Sequence, residues 1–297
     1  MSVQSFLQHL VNGLSLGSLY ALLAIGYTMV YGILRLINFA HGDIFMIGTY
    51  IAFYSMTLFL LPWWLAFIIA ISLTTIFGML VERTAYRPLR DSPRISIMIS
   101  AIGVSFFIEN LAIVIFGGRP KAFPIPGLFS KIMNFSGISI ISLSLYIPIV
   151  TIIILVGLVY VVNRTKTGMA MRAVSKDYEV ARLMGIDVNK IISFTFGIGS
   201  LLAAIGGMMW GLKFPQLIPL MGLMPGLKCF IAAVVGGIGN IKGAVLGGLI
   251  LGLGEIMIVA FLPALSGFRD AFAFILLILI LLFKPSGLMG KTTTEKV

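Results

Sequence analysis

Residues 11–34 read VNGLSLGSLYALLAIGYTMVYGIL, a run without one charged side chain. About 20 consecutive apolar residues carry an α-helix across the hydrocarbon core of a bilayer, so this stretch predicts a transmembrane helix. It is too long for the apolar core of a cleavable secretion signal, and no Lys or Arg precedes it, so the helix is expected to stay in the mature protein. The rest of the chain repeats the pattern. Of 297 residues, 59% are hydrophobic and only 10% charged, against about 25% charged in an average soluble domain. Mean hydropathy is +1.10. These values exclude a cytosolic enzyme, a secreted disulfide scaffold and a disordered tail. The single cysteine, Cys229, reads as a small buried hydrophobe. The fold class is all-α, a polytopic membrane helix bundle forming one transmembrane domain over 1–297.

Breaks at charges, prolines and glycine clusters place helices near 8–34, 38–60, 63–81, 95–116, 138–162, 190–212, 224–238, 243–262 and 266–284, about eight to nine transmembrane segments. The seventh is short, since only the residues from Cys229 to Ile241 separate Lys228 from Lys242. A short or re-entrant helix of this kind is tolerated at membrane depth where protein or a water-filled path surrounds it.

The net charge of +11 would suggest nucleic acid in a soluble protein. Here the bias of Lys and Arg toward cytoplasmic loops accounts for it, and no nucleic-acid partner is expected. Arg83, Arg87, Arg90 and Arg94 crowd one loop, and Arg164, Lys166, Arg172, Lys176, Arg182 and Lys190 crowd the loop 163–190. One orientation puts both inside, together with Arg35, Lys242, Lys284, Lys291 and Lys296. It leaves only Arg119, Lys121, Lys131, Lys213, Lys228 and Arg269 of the 21 basic residues outside. The N-terminus is then outside and the C-terminus cytoplasmic, with Trp63, Trp64 and Trp210 near the outer interface.

Ionisable groups at membrane depth are costly and often mark a path. Asp43, Glu109, Glu255 and Asp270 qualify, with His41 beside the first of them. Capping and the helix dipole also account for Asp43, and pairing with a neighbouring helix also accounts for Glu109 and Glu255. With only two histidines and no cysteine near them, no metal site is expected. Asn38, Ser100 and Asn110 complete the polar residues assigned to a translocation path. Gly239, Gly243, Gly247, Gly248 and Gly252 place small residues four apart, which suits close helix packing. A faint internal echo pairs Gly32 to Gly48, turning at Asn38, with Gly236 to Gly252, turning at Asn240. Duplicated halves of this sort enclose substrate paths in transporters.

Between two spans lies TGMAMRAVSKDYEVARLMGIDVNK, residues 167–190. Met169, Ala173, Val180, Ala181 and Met184 can line one apolar side of a helix, which Gly185 then ends. A helix lying on headgroups would look similar. Small residues at Ala170, Ala173 and Ala181 instead suit a helix gripped in a partner's groove. The segment GMAMRAVSKDYEVARLMGI resembles the cytoplasmic coupling loop of ABC importer permeases. INFAHGDIFMIGTY, residues 37–50, resembles the matching stretch of branched-chain amino acid permeases, and the likeness runs over about residues 10–290. It is nearest to the smaller permease subunit of the high-affinity leucine, isoleucine and valine uptake system.

That resemblance implies a subunit of the bacterial inner membrane that pairs with a second, homologous permease. It implies an extracytoplasmic amino-acid-binding protein that delivers substrate, and two cytoplasmic ATPases that use ATP and Mg, with no cofactor in this chain. It assigns coupling to Gly168, Arg172, Ala173, Asp177, Ala181 and Gly185, and departs from the importer pattern at Val180, where many such permeases carry a second Ala. Gly290-Lys291-Thr292 imitates the end of a phosphate-binding loop, but Pro285 stands where that loop needs its first Gly. No enzyme activity is expected. Two other readings stay open at this point. One keeps the fold and carries a sugar, nucleoside or urea. The other is a proton-driven secondary transporter relaying through Glu109, Glu255 or His41, which leaves the 163–190 loop without a role.

Overall fold

The computed structural model describes residues 3–35, 37–90, 92–135 and 138–290. Lys291, Thr292 and Lys296 lie outside the described residues. Eleven α-helices are described: α1 (Val3–Leu34), α2 (His41–Thr57), α3 (Trp63–Val81), α4 (Arg94–Phe116), α5 (Ser142–Arg164), α6 (Lys166–Lys176), α7 (Tyr178–Leu183), α8 (Val188–Lys213), α9 (Leu223–Gly236), α10 (Ile241–Phe261) and α11 (Arg269–Phe283). Among the described residues seven helical segments are long and apolar enough to cross a membrane, and the chain is a multi-pass membrane protein. The nine stretches expected from the sequence all appear as helices, with ends shifted by a few residues. The largest shifts are at α1, which starts at Val3, and before α5, where 138–141 form a strand instead.

The long, charge-free α1 is the pillar of the bundle, with α5, α8, α9 and α10 packed around it. Close approach is bought by small residues. A Cβ built on Gly252 would strike the Gly17 backbone, and one on Gly248 would strike Ala21, so α10 and α1 lie antiparallel and nearly touching. Gly243 and Gly247 point the other way, onto Gly236 and Ala232 of α9. Gly239 is not a packing residue. It sits at φ +88 with open space around it, in the turn that joins α9 to α10. The outward sides of α4, α5 and α11 carry exposed Phe107, Ile153 and Leu282, as lipid-facing helices do.

One end of the bundle carries the 163–190 loop. There Tyr178 donates to the Ile33 carbonyl, Arg90 donates to Asn189 at 2.7 Å, and a Cβ on Gly32 would lie 3.8 Å from the Gly239 Cα. Past α11, Leu288 N–H donates to the Val235 carbonyl and Met289 N–H to that of Gly236, so the chain as far as Gly290 ends on this same face. The opposite end holds one hairpin and one pairing between strands distant in sequence. β2 (Ile132–Phe135) pairs antiparallel with β3 (Ile138–Ile141), and β1 (Lys121–Ala122) with β4 (Gln216–Leu217).

α11 is lengthened to a 21-residue span by the helical turns Pro263–Phe268 before it, but two other helices of the bundle are too short for a bilayer. α2 has 17 residues and α9 has 14, about 26 Å and about 21 Å at 1.5 Å per residue, where the hydrocarbon core is about 30 Å thick. Both are completed by non-helical chain. After α1, Arg35 at φ +53 turns the backbone back into the bundle, and α2 starts only at His41, beside Tyr27 of α1. After α8, β1 pins the incoming strand β4, and α9 starts at Leu223 beside Gly42. The two lead-ins enter from opposite faces. Irregular backbone of this kind occurs at membrane depth where protein surrounds it or where it lines a cavity.

Candidate functional site

The starts of α2 and α9 meet inside the bundle. Gly42 and Gly222 are in backbone contact, and the Cα of Gly42 lies 3.2 Å from where a Gly226 Cβ would stand. Neither start has a side-chain cap: the N-cap residues are Ala40 and Gly222. Backbone carbonyls take most of the N–H groups there, His41 N–H bonding to Asn38, Asp43 N–H to Ala40 and Leu223 N–H to Leu220, and the positive end of each helix dipole faces whatever lies ahead. What lies ahead is a cavity of about 190 Å³ between α1, α2, α4 and α9.

Its polar groups are few. Asp43 and Glu109 both line it, and Ser105, at the midpoint of α4, donates to Asp43 Oδ2 at 2.5 Å. Glu109 is only 5% exposed and has no hydrogen-bond or ion-pair partner among the described residues. The remaining wall is apolar, chiefly Ile102, Phe106, Leu227 and Phe230. His41 is buried behind it with its ring centroid 4.5 Å from that of Tyr27 and its Nε2 without a partner.

Asp43 and Glu109 are therefore brought together, while four other residues expected on the path are not. Glu255 is a pairing residue: its carboxylate meets Lys228 at 2.9 Å and Arg269 at 2.8 Å, and Tyr20 donates to it at 3.1 Å. Lys228 also meets Asp270 at 2.6 Å, so two acids and two bases tie α9, α10 and α11 together. Lys228 is thus a buried residue and not the outer-loop cation that the charge count made it. Asn38 accepts from Tyr86 at 2.8 Å, and Ser100 donates to the Ala85 carbonyl at 3.2 Å, both binding the turn after α3. Asn110 is exposed and donates to Phe106 of its own helix. Glu255, Asn38 and Ser100 thus serve contacts between segments of the bundle, and Asn110 a contact within its own helix.

Sequence reasoning missed Ser105, Tyr27, Gly222 and Gly226. The signal present for the last two was GLMPG, residues 222–226, a small-residue pair four apart at the head of an unusually short apolar helix. Shortness in two corresponding segments points to broken helices around a transport site. It also missed Glu82, fully buried where α3 runs into a π-helical turn, Glu82–Tyr86; Arg90 and Ser193 both bind it. Burial pushes the Arg90 guanidinium below its usual value, and the Glu82 carboxylate opposes that.

The 163–190 loop is two helices where one was expected, broken at Asp177. Its φ of −154 and ψ of 121 are extended, and its carboxylate caps α7 by accepting from Glu179 N–H at 2.8 Å and Val180 N–H at 3.0 Å. Capping satisfies donors that a helix start leaves open, and this outcompetes continuing the helix. Gly168 and Arg172 close the corner between α5 and α6: a Cβ on Gly168 would strike the carbonyls of Val161 and Val162, and Arg172 donates to Val162. Gly185 stands at φ +78 as expected of a helix stop, with Gly185 N–H bonded to Arg182 and Ile186 N–H to Ala181, each at 3.0 Å. Ala181 is 2% exposed, buried in its own chain and not turned toward a partner. Of the expected apolar side, Met169, Val180 and Met184 face out, 54–77% exposed, as does Leu183 beside them at 86%. Behind the α6–α7 junction a second cavity, about 500 Å³, opens between Leu34, Arg35, Arg90 and Lys176.

Residues 9–281 match the family model described as "Branched-chain amino acid transport system / permease component". The chain is 44% identical to the high-affinity branched-chain amino acid transport system permease protein BraD of Pseudomonas aeruginosa, covering 99% of each chain. It is 42% identical to the LivH permease protein of the corresponding Escherichia coli system, covering 98% of each. The fructose import permease protein FrcC of Rhizobium meliloti is 32% identical over 35% of this chain and 31% of its own.

Proposed function

The chain belongs to the branched-chain amino acid transport permease family, and from that premise we propose that it carries leucine, isoleucine and valine inward across the bacterial inner membrane as a membrane subunit of an ATP-driven importer. The observation that carries this reading is the cavity where α2 and α9 begin. Its wall is aliphatic and aromatic and it holds few polar groups, which suits an aliphatic side chain and poorly suits a sugar, whose hydroxyls would each need a partner. The full-length relatives carry branched-chain names, whereas the sugar permease matches only a third of the chain.

The chain acts as a transport subunit, and ATP with its Mg is used by partner ATPases. Of two such ATPases one seats against the loop 163–190, a second homologous permease completes the path, and an external amino-acid-binding protein delivers substrate. The exposed Met169, Val180, Leu183 and Met184 supply the apolar contact with the ATPase groove. Within the chain, Arg172 clamps α6 to α5, and Tyr178 joins the start of α7 to the end of α1. A push on the loop thus reaches α1, and through the Arg35 turn it reaches the start of α2.

Reconstitution of this permease with its partner permease, ATPases and receptor in proteoliposomes tests the proposal. Labelled leucine accumulates on addition of ATP and stops without the ATPases. Uptake that survives their removal but collapses with the proton gradient sinks it.

A further inference from the structure

The cavity at the meeting of α2 and α9 is lined by two carboxylates and, among the described residues, by no cationic side chain, and we propose that it is a subsite for the ammonium group of an α-amino acid. In it Asp43 and Glu109 hold the ammonium. This inference rests on the import reading above and adds to it where the substrate backbone sits.

Glu109 carries the argument. A carboxylate that is 5% exposed, lines a cavity and lacks any partner among the described residues leaves its charge open to a ligand cation. Asp43 lines the same cavity, and its one side-chain donor is Ser105 at 2.5 Å, which leaves it further acceptor capacity. Two carboxylates with no base between them repel each other until a cation enters. An α-ammonium has three donors and one charge, which matches them. Phe106 and Phe230 then flank the side chain. The volume, about 190 Å³, falls below the roughly 300 Å³ at which sites for drug-sized ligands begin, so one small amino acid fills it.

The fully assembled transporter in proteoliposomes, with labelled leucine as probe, gives the test. Glu109→Gln and Asp43→Asn should each raise the leucine concentration for half-maximal uptake at least tenfold. Ser105→Lys places a tethered ammonium between the two carboxylates and should abolish uptake while receptor-stimulated ATP hydrolysis and assembly persist. Asn110→Ala, on the exposed side of the same helix, should change neither. Uptake by Glu109→Gln and Ser105→Lys at the unaltered rate and half-saturation overturns the subsite while leaving the import reading intact. Absence of leucine uptake by the unaltered complex overturns the import reading itself. Should Ser105→Lys fail to assemble, Glu109→Gln decides alone.

Discussion

Gly42 of α2 and Gly222 of α9 touch backbone to backbone, and each occupies the space where the other's side chain would stand. Neither has a positive φ, so the requirement for glycine is steric. Alanine at either should cost about 1–3 kcal/mol through overpacking. Alanine at Gly103, in α4 with nothing within 4 Å, should instead gain about 0.5–1 kcal/mol. Thermal unfolding of the purified variants in detergent checks the contrast, and equal effects at the three sites would remove the close approach as its cause.

Lys228→Met leaves Glu255 buried with one cation in place of two. Breaking a buried pair from one side costs about 3–5 kcal/mol, so the transition temperature should fall steeply. Adding Glu255→Gln should recover part of the loss, because Arg269, 31% exposed, reaches water. A double variant less stable than Lys228→Met shows that the carboxylate supports more than the ion pair.

Ala173→Trp and Ala181→Trp should behave differently. Ala173 is partly exposed on α6, and a large side chain there should uncouple ATP hydrolysis from uptake, lowering the docked population about tenfold for 1.4 kcal/mol of overpacking. Ala181 is buried in its own chain, so tryptophan should unseat α7 and raise proteolysis of the loop before any partner is added. Lys176→Gln, exposed, should matter little.

The proposed orientation predicts labelling. Single cysteines at Ser92 and Asp187 should resist an impermeant thiol reagent applied to intact cells, whereas one at Gly127 should react. Native Cys229 is fully buried and adds little background. Reaction at Ser92 and Asp187 but not Gly127 inverts the topology.

Asp187 caps α8 by accepting from Lys190 N–H at 3.1 Å, and its Lys190 side chain lies at 3.2 Å. Both hold the carboxyl below its usual range, the backbone bond first. A depressed carboxyl stabilises the fold above its unfolded value near 4, and that contribution is lost as pH falls through the folded value. Hydrogen exchange at residues 189–191 should therefore quicken below about pH 4, and Asp187→Asn should flatten that dependence.

The long helices were legible because an apolar run bounded by charges has few alternatives in a membrane. Asp43 and Glu109 were legible as acids where acids are costly. That they share one cavity was not, because it depends on where α2 and α9 begin, and those starts are fixed by Gly42 against Gly222, residues 180 positions apart. Glu255 looked the same as Glu109 in sequence. Only the packing of α9 and α11 against α10 separates a paired carboxylate from an unpaired one. The break at Asp177 was written in the chain, as a capping residue with Glu two positions on, but the small residues on either side favoured a continuous helix.

The cluster of Lys228, Glu255, Arg269 and Asp270 also bears on how the protein is made. Lys228 leaves the ribosome 27 residues before Glu255 and more than 40 before Asp270, and a charge at the centre of a membrane helix costs about 2.5–3.5 kcal/mol when it stands alone. α9, the shortest of the membrane helices, has least apolar length to offset that. Residues 223–283 should therefore enter lipid as one unit released late from the insertion machinery, and a nascent chain arrested before Arg269 should stay crosslinkable to the channel where one that includes Asp270 does not.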